Sequence, residues 1–204
     1  MDAEPPLIVL FEGLVRATRL TAIGLELDRR QKTSKARRQL IDLVRTLGKS
    51  IVQGSGDLAE ETMLDICENM NFRPALSDQD IQSRARSYRS AMLMGVISHE
   101  LGHIARAHTL GAPVNIGVSR NQEREADSFA ASVVSSSPFS DYLVIGIIFF
   151  WLILTWVDTA VSKEAAKTHP HAGERLFDFI RNNREQARSI GFTEETITEF
   201  MPEL

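Results

Sequence analysis

Cysteine is almost missing from this sequence: Cys67 stands alone. No intramolecular disulfide can form, and a reducing, cytoplasmic setting fits best. An excess of positive charge is missing too. Lys and Arg number 23 against 27 Asp and Glu, for a net charge of -4, which removes any whole-protein argument for nucleic-acid binding. The opening Met1-Asp2-Ala3-Glu4-Pro5-Pro6 has neither the positive start nor the unbroken apolar run of an export signal, and Glu12, Arg16 and Arg19 interrupt the apolar stretch that follows. There is no internal repeat, no low-complexity tract and no convincing alternation of the kind a β-sheet needs.

What is present is helical spacing. Apolar residues recur at helical intervals from Leu7 to Leu27, and again from a cap at Thr33 or Ser34 to about Val52, before the break Gln53-Gly54-Ser55-Gly56. A short helix is expected from about Leu58 to Asn69. A loop follows, with Asn71 to Leu76 the one plausible extended piece before Ser77 and Asp80 start a long helix running to His108. Gly111-Ala112-Pro113 ends it. Val114 to Val118 reads as a short extended piece, and a helix from near Asn121 carries Glu123 to Val134. A final helix is expected after Pro170. The basic cluster Arg29, Arg30, Lys32, Lys35, Arg37 and Arg38 sits at a helix–loop–helix junction and reads as a solvated turn.

Chemistry concentrates in two places. Residues 98–103 read Ser-His-Glu-Leu-Gly-His. On a helix, His99 and His103 share a face one turn apart, so both can aim a ring nitrogen at one zinc ion. Glu100 projects beside them, able to take a proton from an attacking water without being a ligand. A catalytic zinc needs a third protein ligand. The metzincin continuation fails, because Arg106 and Thr109 occupy its glycine and histidine places. The gluzincin continuation asks for Glu-x-x-x-Asp on a later helix, and residues 123–127 read Glu-Arg-Glu-Ala-Asp. Glu123 and Asp127 share a helix face, so Glu123 can ligate while Asp127 holds the outer nitrogen of a ligand histidine. Glu125 points elsewhere. All five histidines lie in the stretches 99–108 and 169–171, an arrangement that scattered surface histidines would not produce.

With these pieces, and with Thr168-His169-Pro170 and Arg175 after them, the chain resembles gluzincin peptidases of the HtpX and CAAX prenyl protease type over roughly residues 90–180. The resemblance implies zinc on His99, His103 and Glu123, Glu100 as base, Asp127 behind the ligands, and His169 near the site as an oxyanion stabiliser. His171 and His108 are read as structural or solvent-facing. The family's Gly-rich hairpin and edge strand, on which substrate docks as an added strand, have no counterpart here. The helical approach to the metal helix is closer to Lit-like peptidases, and Glu123 to Ala131 is similar to the ImmA/IrrE type.

The expectation is therefore a mainly α, zincin-like metallopeptidase domain over 1–204 with little or no β-sheet. It divides into a helical lead-in (1–76), a metal-binding core (77–182) and a C-terminal tail (183–204). The expected activity is a zinc-dependent endopeptidase acting on protein or peptide substrates. The alternative is a zinc-bound regulatory or interaction module with little turnover. Residues 142–157 carry no charge between Asp141 and Asp158. At about 1.5 Å per residue they fall short of a hydrocarbon core of about 30 Å. The segment is read as a buried core helix, with membrane contact or a dimer interface as alternatives.

Overall fold

The computed structural model describes residues 12–53, 60–108, 116–160 and 171–201. Helix makes up 86% of these, with no strand among the described residues. In chain order the helices are α1 (Glu12–Gln31), α2 (Ser34–Gln53), α3 (Glu60–Asn69), α4 (Arg73–Ser77) and α5 (Gln79–Ala105). They continue with α6 (Ile116–Ser135), α7 (Ser140–Ala160), α8 (Ala172–Asn182), α9 (Arg184–Ser189) and α10 (Glu194–Thr198).

Helix α5 is the axis of the molecule: α1, α6 and α7 all pack on it, α2 covers α1 and α7, and α8 and α9 lie against α7. Its start is set locally, by the Asp78 carboxylate accepting the backbone N–H groups of Asp80 and Ile81 at 2.9 and 3.0 Å. The crossing with α7 is close because Gly146 has no side chain. A Cβ there would lie 2.4 Å from the Ala91 carbonyl carbon.

Helix α7 is the most apolar element, and it is a core element. Val144, Ile148, Phe149, Leu152 and Ile153 are fully enclosed, and Trp151 and Trp156 nearly so. Each large side chain buried this way contributes about 1.5–3 kcal/mol. The stretch Asp141–Asp158 is long and apolar enough to cross a membrane, yet 61% of it is buried within the fold, where α7 packs against α1, α2, α5, α6, α8 and α9. The cluster of buried apolar residues runs without interruption from Ala17 to Phe200. It takes in Phe192 and Phe200, which pack edge-on against Phe149 at 5.5 and 5.7 Å.

Three helices end in the same way. After α3, α5 and α9, a residue with positive φ (Asn71 at 56°, Ala107 at 52°, Gly191 at 82°) reverses the chain. The next amide then bonds back to a carbonyl five residues earlier: Phe72 to Cys67, His108 to His103 and Phe192 to Ala187. Gly and Asn suit that backbone; Ala107 does not, and its position beside the site described below is noteworthy for that reason.

Local expectations fail in a few places. Arg73–Ser77 is a short helix, not an extended piece, with Pro74 in its first turn where a missing N–H costs nothing. Ile116–Val118 is the first turn of α6 and not extended; β-branched residues suggest a strand, but packing of α6 along α5 overrides that weak preference. Helix α5 stops at Ala105 rather than His108. Three helices rather than one follow Pro170. The basic junction is not simply solvated: Arg29 and Arg30 both donate to Glu26, and Arg37 to Asp28.

Candidate metal centre

Three helices meet at the site. Helix α5 presents His99 and His103 one turn apart, α6 presents Glu123 and Asp127 one turn apart, and α8 presents Arg175 across from both. Gly102, between the two histidines, makes the approach of α6 possible. A Cβ on it would lie 2.8 Å from the Ala126 Cα and 3.0 Å from the Ala126 carbonyl oxygen. Backbone cannot yield as a side-chain tip can, so any larger residue here separates the two helices.

His99, His103 and Glu123 are each only 7% exposed, and one donor atom from each falls in a common cluster. The separations are 3.1 Å between the two Nε2 atoms, 3.4 Å from His99 Nε2 to Glu123 Oε2 and 3.5 Å from His103 Nε2 to Glu123 Oε1. Ligands at about 2.0–2.1 Å from a tetrahedral zinc stand about 3.3–3.4 Å from one another. Two neutral imidazoles and one carboxylate are also a donor set such an ion accepts. The residues present fit the group.

Behind the donors is a charged frame. The outer nitrogen of His99, Nδ1, lies 3.0 Å from Asp127 Oδ1, which leaves Nε2 free to face the cluster. Arg175 grips Asp127 with two parallel bonds of 2.7 Å, from Nε to Oδ2 and from its terminal nitrogen to Oδ1. Its other terminal nitrogen reaches Glu123 at 2.9 Å. The guanidinium carbon stacks 3.8 Å from the Trp151 ring centre, and Trp151 meets His99 edge-on at 5.9 Å. The contacts of 3.2 and 3.3 Å from Arg175 to both ring nitrogens of His99 place it over the ring edge, not on one lone pair. Burial pushes the Asp127 carboxyl up, but hydrogen bonds from His99 and Arg175 outweigh it and hold the group below the usual carboxylate range. Burial likewise disfavours a charged His99, yet its bonds to Asp127 and Glu123 leave its pKa raised. His103, with burial and the neighbouring His99 against it, is lowered.

Of the other residues named from the sequence, Glu100 is half-buried on α5 next to His99, and His169 lies outside the described residues. His171 caps α8, its Nδ1 accepting the Gly173 N–H at 3.2 Å. Three contributors were not assigned a role from sequence. Arg175 appeared only as part of a motif, Trp151 only as a core residue, and His108 as a peripheral histidine. The His108 side chain is 5% exposed, with Nδ1 2.9 Å from His103 Nδ1 and Nε2 3.0 Å from Glu125 Oε2. The one available signal was the concentration of histidines in residues 99–108.

Residues 7–193 match the Peptidase U49 family, and the chain belongs to that family of peptidases. The match sides with the Lit-like and ImmA-type resemblance and gives no support to the narrower HtpX or CAAX prenyl protease likeness. No curated protein and no solved structure matches the chain.

Proposed function

We propose that this peptidase is a zinc-dependent endopeptidase of the gluzincin kind, built as one domain over 1–204, whose substrates are proteins or peptides. The observation that carries the reading is the spacing of 3.1, 3.4 and 3.5 Å among the donor atoms of His99, His103 and Glu123. His99, His103 and Glu123 would hold the ion, which when bound supplies Lewis acidity, lowering the pKa of water to about 7 and polarising the scissile carbonyl. Glu100 is the general base: it takes a proton from the attacking water and hands it to the leaving amine. Asp127 orients His99. Arg175 offsets the negative charge of Asp127 and Glu123, so both carboxylates can stay ionised while buried. His169 is assigned, by resemblance alone, to the developing oxyanion. The burial of α7 supports a cytoplasmic protein over one anchored through 142–157.

A second reading keeps the zinc centre but gives it a regulatory or interaction role with little turnover. It is favoured by one observation: no strand borders α5 among the described residues, so these residues offer no edge for strand addition.

Metal analysis of the purified protein tests the first reading, with Glu123→Ala and Glu100→Ala beside it. One zinc per chain is expected in the wild type and in Glu100→Ala, and none in Glu123→Ala. Casein hydrolysis should be chelator-sensitive in the wild type and fall by about 10²–10⁴-fold in Glu100→Ala. Wild-type protein that takes up no zinc removes the metallopeptidase reading. Zinc without any casein hydrolysis favours the regulatory module.

A further inference from the structure

The hydrogen bonds around His103 form a chain whose proton positions are determined once its inner end is set. If His103 Nε2 presents a lone pair to the donor cluster, its ring proton must sit on Nδ1. That Nδ1 lies 2.9 Å from His108 Nδ1, which must then be the bare, accepting nitrogen. His108 therefore carries its proton on Nε2, 3.0 Å from Glu125 Oε2, and a carboxylate can only accept. Every donor meets an acceptor, and only this order of protons achieves it while Nε2 of His103 stays bare.

The backbone is arranged for the same end. His108 follows the turn that closes α5, where Ala107 adopts φ 52° and the His108 amide bonds back to the His103 carbonyl at 3.0 Å. Without that reversal the helix would carry residue 108 onward, away from residue 103. With it, the two rings meet edge-on at 5.0 Å between centres. Glu125 comes from α6, two residues after Glu123, so the partner that holds His108 rides on the helix that brings the third candidate ligand.

We propose that His108 and Glu125 are positioning residues for the zinc ligand His103: a histidine–carboxylate relay that fixes its tautomer and ring orientation, as Asp127 does directly for His99. The proposal rests on the zinc reading above. It assigns the two ligand histidines different supports, one a buried carboxylate clamped by Arg175, the other an imidazole tied to a carboxylate that is 57% exposed. Removing an outer partner of a metal-bound histidine costs about 10–100-fold in metal affinity.

The test is zinc affinity, measured on the full chain by competition with a chelating indicator, together with thermal unfolding of the metal-free protein. His108→Ala is expected to weaken zinc about 10–100-fold. His108→Asn, whose amide falls where Nδ1 was, should recover most of that loss. Glu125→Gln, at the surface and harmless to folding, should weaken zinc by a smaller factor. Wild-type affinity in both His108→Ala and Glu125→Gln overturns the relay while leaving the zinc reading intact. Equal loss in His108→Asn and His108→Ala overturns it as well, because filling the ring's space would then matter more than the hydrogen bond. Absence of zinc binding in the wild type itself overturns the reading beneath, and the relay with it.

Discussion

Two buried acidic clusters border α5, one beside Arg84 near its start and one beside His99 and His103 near its end, and both are answered by arginine. At one, Glu26 of α1 is completely enclosed and accepts from Arg29 at 2.7 and 2.8 Å and from Arg30 at 2.7 Å, with Arg84 3.9 Å away. At the other, Arg175 pairs with both Glu123 and Asp127. In the first cluster Arg30 and Arg84 also pair with Asp80, and its arginines reach solvent, 44% and 30% exposed for Arg29 and Arg30. It is complete as an ion-pair network. The second has two carboxylates, one arginine that is itself only 9% exposed, and two imidazole nitrogens converging on the same point. Burial of an acid is thus not the mark of a site; a set of donor atoms with a common focus is.

The comparison can be broken most decisively at Arg175. Arg175→Ala takes the guanidinium away from two buried carboxylates and should destabilise the metal-free protein by about 3–5 kcal/mol, read from urea unfolding. Arg175→Lys should recover little, because a lysine cannot reproduce the two parallel bonds to Asp127. A loss under about 1 kcal/mol would mean that the two clusters do not differ in the way described.

Glu26→Gln should cost less, about 1–3 kcal/mol, because Arg29 and Arg30 stay solvated, and it should leave zinc content untouched. It should also change the pH dependence of stability. Burial raises the Glu26 pKa, but the bonds from Arg29 and Arg30 win and hold it below its ordinary 4.5. A carboxylate with a depressed folded-state pKa contributes its full stabilisation above pH 4.5 and loses it as pH falls from there through the folded value. Urea midpoints of the wild type should therefore drop more steeply below pH 4.5 than those of Glu26→Gln. Parallel curves would assign the acid sensitivity to other groups.

The smallest effect is expected at Ala107. Its φ of 52° suits glycine, so Ala107→Gly should raise stability by about 0.5–1 kcal/mol, relief of backbone strain outweighing glycine's greater freedom in the unfolded chain. Differential scanning calorimetry resolves such a change. A destabilised Ala107→Gly would mean that the alanine methyl contributes packing that exceeds the strain.

Much of the site was legible before any fold was known because it is local. His99 and His103 are four apart on one helix, as are Glu123 and Asp127, so each pair shares a face wherever its helix lies. The mainly α class was equally legible from the apolar spacing. Arg175, Trp151, His108 and Glu125 were not, for different reasons. Arg175 and Trp151 reach the site only because α8 and α7 cross α5 at particular heights. Glu125 points away from Glu123 on its own helix, and becomes relevant only through a partner on another element. The place of His108 beside His103 was not legible because it depends on a left-handed residue that no glycine or asparagine announces. The same limit explains Ile116–Val118 and Arg73–Ser77, where tertiary packing overrode preferences worth a few tenths of a kcal/mol per residue.

By itself, then, the sequence determined which residue types stand at helical intervals, and through them the His99–His103 and Glu123–Asp127 faces, the apolar core helix and the membership of a peptidase family. Tertiary structure decided what those faces confront. A glycine at 102 lets α6 approach α5, a reversed turn at 107 swings His108 back over His103, and α8 delivers the arginine that pairs with both Glu123 and Asp127. Helical periodicity is a property of neighbours in the chain, whereas a balance of charge in a closed space depends on every element that borders it.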